Sequence, residues 1–364
     1  MRAAPIEFMM RPVPTFAHEY RMLDSPSARP NVPPRQTTAA RTRGGGRLQK
    51  YILNRLILMV PTMFGLTLLV FTMLRVLPGD IVTVIQGEFG SADKATRDAI
   101  LKDFQLDGSI PVQYVRWVGR MAQFDLGKSL ISGRSVQDEL SSRVPVTLEL
   151  GLLALLFNVA VGIPIGILSA VRQNSAVDYV GRTIAIGLLA APGFWIALII
   201  ISMAGRYFQW GVPSTTYASL FNDPVRNLKL LVVPAMILGG AGAGGVMRFT
   251  RTAMLEVLRQ DYIRTAWSKG LQERTIIVRH ALRNALIPVV TVIGLSIPGL
   301  VGGSVIIESV YSIPGVGRYY LSAVNTHDLP IVQAINVMTS LAVLFANLAV
   351  DIAYSWLNPR IRYS

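Results

Sequence analysis

Cysteine is absent from the 364 residues, which excludes thiol catalysis, thiolate metal sites and a disulfide framework. Charge is scarce. Asp, Glu, Lys and Arg make up 15% of the chain, against roughly 25% in ordinary soluble domains. Histidine occurs only at His18, His280 and His327, a spacing that cannot make a His-x-x-x-His metal pair. None of the three falls inside a long apolar run, where an intramembrane nucleophile–base pair would need one. The chain also lacks a P-loop. The nearest approach, Ala122-Gln-Phe-Asp-Leu-Gly-Lys-Ser129, has alanine where backbone approach to a phosphate needs glycine. An enzyme reading is therefore short of parts.

What is present is apolar. Hydrophobic residues reach 51% and mean hydropathy is +0.45. Six uncharged runs stand out: Leu56–Leu74, Leu150–Val171, Thr183–Gly205, Leu230–Met247, Ala285–Ile307 and Ile331–Val350. Each matches the roughly 20 residues that a helix needs to cross a bilayer core. They do not alternate as barrel strands do. Only helices then satisfy their own backbone groups in lipid. The expected fold is an all-α membrane protein with six transmembrane helices.

The charges that remain give the orientation. Segment 248–283 holds eight Lys/Arg and three acids, whereas 309–329 holds only Arg318 and Asp328. With six spans, the basic loop, the basic N-terminal segment, and Arg360 and Arg362 share one side, which is cytoplasmic by the positive-inside rule. The span interiors contain no ionisable residue. Glu149, Glu308 and Asp351 sit at span edges, where structural roles predominate.

Residues 1–50 hold seven of the 21 prolines, and Gly44-Gly-Gly46 among Arg41, Arg43, Arg47 and Lys50. They read as a disordered basic tail rather than a secretory signal, either solvated or resting on lipid headgroups. The outer segment 78–145 reads as short amphipathic helices. One runs from Ser91 to about Gln105 and one from Pro111 to Phe124. A third starts at a capping box, Ser135-Val-Gln-Asp138. They form either a lid on the bundle or a docking surface. Glycines at 239, 240, 242, 244 and 245 crowd span four, for close packing or for rocking motion. Gln333, Asn336 and Asn347 in span six suit a water-filled path or interhelical hydrogen bonds.

The segment after span four is the most informative. Met254, Val257, Leu258 and Tyr262 continue a helical period beyond the membrane. Gly270 follows a basic turn and suits a left-handed C-cap. A second short helix fits Glu273–Leu282 before Pro288 returns the chain to the membrane. The result is a helix–Gly–helix elbow with an exposed tip, or else an amphipathic loop on anionic lipid.

Tyr262-Ile-Arg-Thr-Ala-Trp-Ser-Lys-Gly-Leu-Gln-Glu-Arg274 followed by Arg279-His-Ala-Leu-Arg-Asn-Ala-Leu-Ile-Pro288 resembles the EAA loop of binding-protein-dependent ABC importer permeases. More narrowly, it resembles the first permease subunit of the dipeptide/oligopeptide/nickel group. Leu77-Pro-Gly-Asp80, Pro111–Trp117, Asp125-Leu-Gly127, Glu308–Gly317, Asp328–Gln333, Asp351-Ile-Ala-Tyr354 and Asn358–Tyr363 extend the resemblance over nearly all of 51–364. The motif's Glu-Ala-Ala falls on Arg264-Thr265-Ala266 and its glycine on Gly270. Its later Ile-x-Leu-Pro falls on His280–Arg283, without the proline.

The resemblance implies an ABC type I importer transmembrane domain over 51–364, with a cytoplasmic coupling loop at 248–284. Arg264, Thr265, Ala266, Lys269, Gly270, Leu271, Glu273 and His280 are the implied contacts to an ATPase. Gln333, Asn336 and Asn347 are candidates for lining the pathway. The implied partners are a homologous second permease subunit, two ABC ATPase subunits, an extracytoplasmic substrate-binding protein and membrane lipid, with no nucleic acid. ATP and Mg would sit on the ATPases, and this non-catalytic subunit would bind no cofactor. The implied setting is a bacterial or archaeal cytoplasmic membrane with both termini inside, and the implied cargo is di- or oligopeptides. A stand-alone secondary transporter is the competing reading. It would call for midplane charges or an inverted repeat.

Overall fold

The computed structural model describes residues 44–76, 108–208 and 217–357. The tail up to residue 43, the expected helix over 91–105, and the stretches Leu77–Asp80 and Asn358–Tyr363 lie outside the described residues. The described chain forms ten helices: α1 (Gly44–Val76), α2 (Ile110–Ala122), α3 (Val136–Val171), α4 (Ala176–Ala190), α5 (Gly193–Phe208), α6 (Pro224–Leu258), α7 (Asp261–Ser268), α8 (Glu273–Val310), α9 (Val316–Asn325) and α10 (Leu329–Leu357). Five of them are long and apolar enough to cross a bilayer. The bent pair α4–α5 supplies a sixth passage if it crosses once.

Three boundaries differ from the sequence reading. α1 starts at Gly44, inside the segment read as tail. Arg47, Leu48, Gln49 and Lys50 are good helix formers and carry the helix back ahead of the span. The helix expected after Ser135 and the span at Leu150 are one element, α3. Pro145 sits within it, and Ser135 makes no side-chain capping bond. Span three is not one rod. Ala191 takes an extended conformation (φ −84°, ψ 126°), as the ring of a following proline demands. The Pro192 carbonyl then accepts from the Trp195 and Ile196 N–H groups to start α5. The two halves meet at 98°.

The packing register decides what that bent pair does. On α3 and α6 the partners rise together. The Asn227 amide donates to Glu149 at 2.6 Å, Gly162 lies against Ala243 and Val246, and Gly166 lies against Met247 and Thr250. The two helices are therefore parallel. On α4 the numbers fall as those on α6 rise. Arg251 meets Asp178, Met247 meets Gly181, Gly244 meets Ala185 and Ile237 meets Gly193. Two parallel membrane helices need a return passage between them, and α4–α5 climbs beside α6 to provide it. The pair is one broken crossing, and the crossings number six, as the sequence predicts.

Small residues make this seam possible. A Cβ on Gly166 would stand 2.6 Å from the Thr250 Cβ and 2.8 Å from the Met247 carbonyl, and one on Gly239 would strike the Ala154 carbonyl. Lipid offers no hydrophobic gain for helix association, so close backbone contact has to supply it. α8 runs antiparallel to α6, with Leu238 at Gly303. α10 returns along α8, with Val350 against Gly294. α1 is joined to the end of α10 by an Arg55–Asp351 ion pair of 3.0 Å. Arg55 and Asp351 thus lie at the end of the bundle from which α7 projects. At the other end the first turns of α3 (Val136, Leu140) pack with Val316 and Ala323 of α9 and Ile331 and Ile335 of α10.

Candidate functional site

α7 is the tip of the elbow. It is eight residues long, too short to persist alone, and tertiary anchors hold it. Ile263 (1% exposed) and Ala266 (7%) pack with Met254, Ile276, Ala281 and Ala285. The Asn284 amide donates to the Tyr262 hydroxyl at 2.8 Å, which ties α7 to α8. The opposite face is bare. Tyr262 (44%), Trp267 (49%) and Leu271 are exposed among Arg264, Thr265 and Lys269.

The helix closes with a Schellman motif. The Leu271 N–H donates to the Ala266 carbonyl at 3.4 Å and the Gly270 N–H to the Trp267 carbonyl at 2.9 Å. Gly270 sits at φ +74°, where a Cβ would be strained, and no atom lies within 4 Å of the place that Cβ would take. The glycine therefore serves backbone conformation and leaves free space beside it.

The elbow differs from its expected form on both sides. α6 stops at Leu258, and Gln260 in an extended conformation separates it from α7. Tyr262 thus belongs to the tip and not to the membrane helix. Past Gly270 the helix expected over Glu273–Leu282 forms, but it does not end there. Glu273 opens α8, which runs unbroken to Val310. Residues Ile276–Leu282 within it are wound as a π-helix. Such segments are rare and often mark functional positions. Glu273 is exposed and His280 is half-buried at the π turn. Seven of the eight candidates, Arg264 to Glu273, cluster at the tip, and His280 lies behind them on α8.

Behind the tip is a buried ion pair that the sequence reading missed. Asp178, in the first turn of α4, is 0% exposed. Arg251 of α6 grips it through two bonds, Nε to Oδ1 at 2.8 Å and a terminal nitrogen to Oδ2 at 2.9 Å. The Ser169 hydroxyl of α3 and the Asn174 N–H (3.0 Å) also donate to it, and Arg182 stands 3.4 Å away. One carboxylate thus joins α3, α4 and α6. A trace was present in the sequence. Ser175-Ala-Val-Asp178 before an apolar run is a capping-box pattern, and Ser175 does cap α4 through the Asp178 N–H.

The span-edge acids are all engaged. Glu149 accepts from Tyr217 and Asn227. Burial, reinforced by the bond to Glu149, pushes the Tyr217 phenol up to about 12. Glu308 does not reach toward headgroups or water as its edge position suggests. It is fully buried. The Thr147 hydroxyl donates to its Oε1 at 2.8 Å and the Arg318 N–H to its Oε2 at 3.0 Å, at the start of α9. The polar residues of α10 fall on one helical stripe but differ in exposure: Gln333 is buried, Asn336 half-buried and Asn347 exposed.

Comparison with known proteins finds relatives for this chain. Residues 162–363 match the family described as binding-protein-dependent transport system inner membrane component. The chain is similar to the oligopeptide transport system permease protein AppB of Bacillus subtilis, 36% identical over 319 residues that cover 86% of this chain and 99% of that protein. It is likewise similar to the dipeptide transport system permease protein DppB of Escherichia coli, 35% identical over 336 residues, with 86% and 99% covered. Among solved structures, the inward-facing methionine ABC transporter MetNI aligns at 18% identity with a TM-score of 0.49, covering 60% of this chain and 96% of that chain.

Proposed function

Because the chain belongs to the family of binding-protein-dependent transport system inner membrane components, we propose that it forms one half of the translocation pathway of an ATP-driven importer of di- or oligopeptides. The peptide cargo is inferred from the relatives named for dipeptide and oligopeptide transport. Membership in a binding-protein-dependent family leaves no place for the stand-alone secondary transporter.

The observation that carries the mechanism is the tip helix α7. It is anchored from below by Ile263 and Ala266, and it offers Tyr262, Arg264 and Trp267 at the end of two membrane helices. Aromatic residues and arginine are the types that dominate protein–protein contacts. In this reading α7 sits in a cleft of a cytoplasmic ATPase, which binds ATP and Mg. Movement of that cleft displaces α7 and, through α6 and α8, reorients the bundle. A homologous second permease supplies the other half of the pathway, and a second ATPase serves it. An extracytoplasmic binding protein delivers the cargo to the opposite end. Gln333 and Asn336, with Asn347, line part of the path.

In this reading the basic 248–283 segment holds α7 on the cytoplasmic side, and six crossings would leave both termini on that side as well. The test is uptake of labelled dialanine by proteoliposomes holding the two permeases and the ATPases. Uptake should require both internal ATP and external binding protein. Uptake that persists without either would overturn the proposal.

A further inference from the structure

The Asp178–Arg251 pair is placed where a tie with a transmission role would stand. Arg251 lies on α6 seven residues before its end at Leu258, and α7 begins three residues later at Asp261. Asp178 opens α4, the first half of the broken crossing. Its remaining bonds reach the end of α3, through Ser169, and the α3–α4 turn, through the Asn174 N–H. The pair is buried and bidentate, with Asp178 0% and Arg251 18% exposed, and a planar fork of this kind fixes angle as well as distance.

Among the described residues, no other hydrogen bond or ion pair links α4 to α6. The α4–α6 contacts nearby are between Gly181 and Met247 and between Ala185 and Gly244. Small-residue packing of that kind gives close approach but has no direction of its own. The carboxylate–guanidinium bond is the directional link between the arm that carries α7 and the helix that bends at Pro192.

We infer that Asp178 and Arg251 are positioning residues that pass displacement of α7 along α6 to the broken crossing α4–α5. They act on coupling and touch neither cargo nor nucleotide. This rests on the importer reading above. An isosteric Asp178→Asn keeps one acceptor, for the Ser169 hydroxyl or the Asn174 N–H, and removes the charge. Arg251→Lys keeps the charge but removes the fork. A purely architectural pair would lower the yield of assembled complex and leave each assembled complex working normally. A transmitting pair would alter the complexes that do assemble.

The experiment uses the whole complex, purified and normalised for subunit content, with ATP hydrolysis measured with and without its binding protein and labelled dialanine uptake measured alongside. In Arg251→Lys, stimulation by binding protein should fall about five- to tenfold, within the usual range of coupling effects, and dialanine moved per ATP should fall with it. Asp178→Asn should show the larger defect if it assembles. If it does not, Arg251→Lys alone decides the matter. Wild-type stimulation and wild-type dialanine per ATP in assembled Arg251→Lys would overturn the inference. A wild-type complex whose hydrolysis ignores the binding protein would overturn the importer reading and this inference with it.

Discussion

Carboxylates are buried at both ends of the bundle, and Asp178, at the end that carries α7 and is inner in the importer reading, is held in the opposite way to Glu308 at the far, outer end, where Asp328 is buried too. At the inner end Asp178 meets a guanidinium. At the outer end the hydrogen bonds to Glu308 come from neutral donors, the Thr147 hydroxyl and the Arg318 N–H at the start of α9. Thr147 also accepts from the Val316 N–H at 2.8 Å, so one hydroxyl joins α3 to both α8 and α9. The helix N-terminus supplies partial positive charge to the carboxylate. The outer arrangement depends on backbone geometry. A Cβ on Gly315 would stand 2.5 Å from the Glu308 Cδ, and one on Gly317 would stand 2.5 Å from the Val305 Cα. The inner arrangement depends on a long side chain whose partner can be exchanged. A joint made from backbone amides holds one shape, and a joint made from an arginine can swing while staying paired.

The largest effect should come from breaking the inner joint outright. Asp178→Ala leaves the Arg251 guanidinium largely buried without its partner, a loss of about 3–5 kcal/mol for a pair of this burial. Complex abundance after mild detergent extraction should drop steeply, with faster thermal loss of the remainder. Near-normal abundance and melting would show that Arg251 finds another partner, and the ion pair would lose its standing as the inner joint.

Glu308→Gln is the matching test outside. The amide keeps one acceptor for the Arg318 N–H or the Thr147 hydroxyl but weakens the charge-assisted bonds, at a cost of about 1–3 kcal/mol. Melting of the complex should fall by less than for Asp178→Ala, while binding-protein-stimulated hydrolysis per assembled complex stays normal. Glu308→Gln that assembles well but loses stimulation would erase the contrast between a static outer joint and a moving inner one.

The pattern of what the sequence discloses follows from the same contrast. The six crossings were legible because lipid demands long uncharged runs, and composition records that directly. The tip was legible because Gly270 after Lys269 carries its own backbone requirement, and the structure places it at φ +74°. The break at Pro192 was not legible. Pro298-Gly299 repeats the Pro192-Gly193 pair yet stays inside α8, so the dipeptide does not decide the outcome. What differs is tertiary. α4 follows α6 as far as the Ile237–Gly193 contact, and Ala197 then packs into the cluster with Leu230 and Leu300. The Asp178–Arg251 pair was hidden for a related reason. Its partners are 73 positions apart, and nothing local announces which arginine of the basic segment turns inward. The fusion of the Ser135 helix with the second span shows the limit of capping signals, since Ser135 caps nothing with its side chain.

Gly270→Val sharpens the comparison at the tip. A β-branched residue in the left-handed region adds about 1–2 kcal/mol of local strain, yet the site faces open space and lies past the end of the long apolar α6. Membrane insertion and abundance should therefore stay near wild type, unlike Asp178→Ala. Hydrolysis stimulated by the binding protein and dialanine uptake should fall together, because both pass through α7. Normal hydrolysis with lost uptake would move the defect from the tip to the pathway.

The smallest effect should come from Arg55→Ala, at the inner end again but partly exposed. Arg55 and Asp351 make an ion pair of 3.0 Å, as close as the buried one, but their side chains are 48% and 31% exposed. Solvent and salt screen such a pair, and its usual worth is about 0–1 kcal/mol. Losing Arg55 leaves Asp351 with access to water, so no buried charge is stranded. Melting of the Arg55→Ala complex should shift only slightly in low salt, and the shift should vanish in high salt, whereas the deficit of Asp178→Ala should persist at both. A large, salt-independent loss from Arg55→Ala would mean that this residue anchors α1 through more than its charge. Burial would then no longer be what separates the strong inner joint from the weak one.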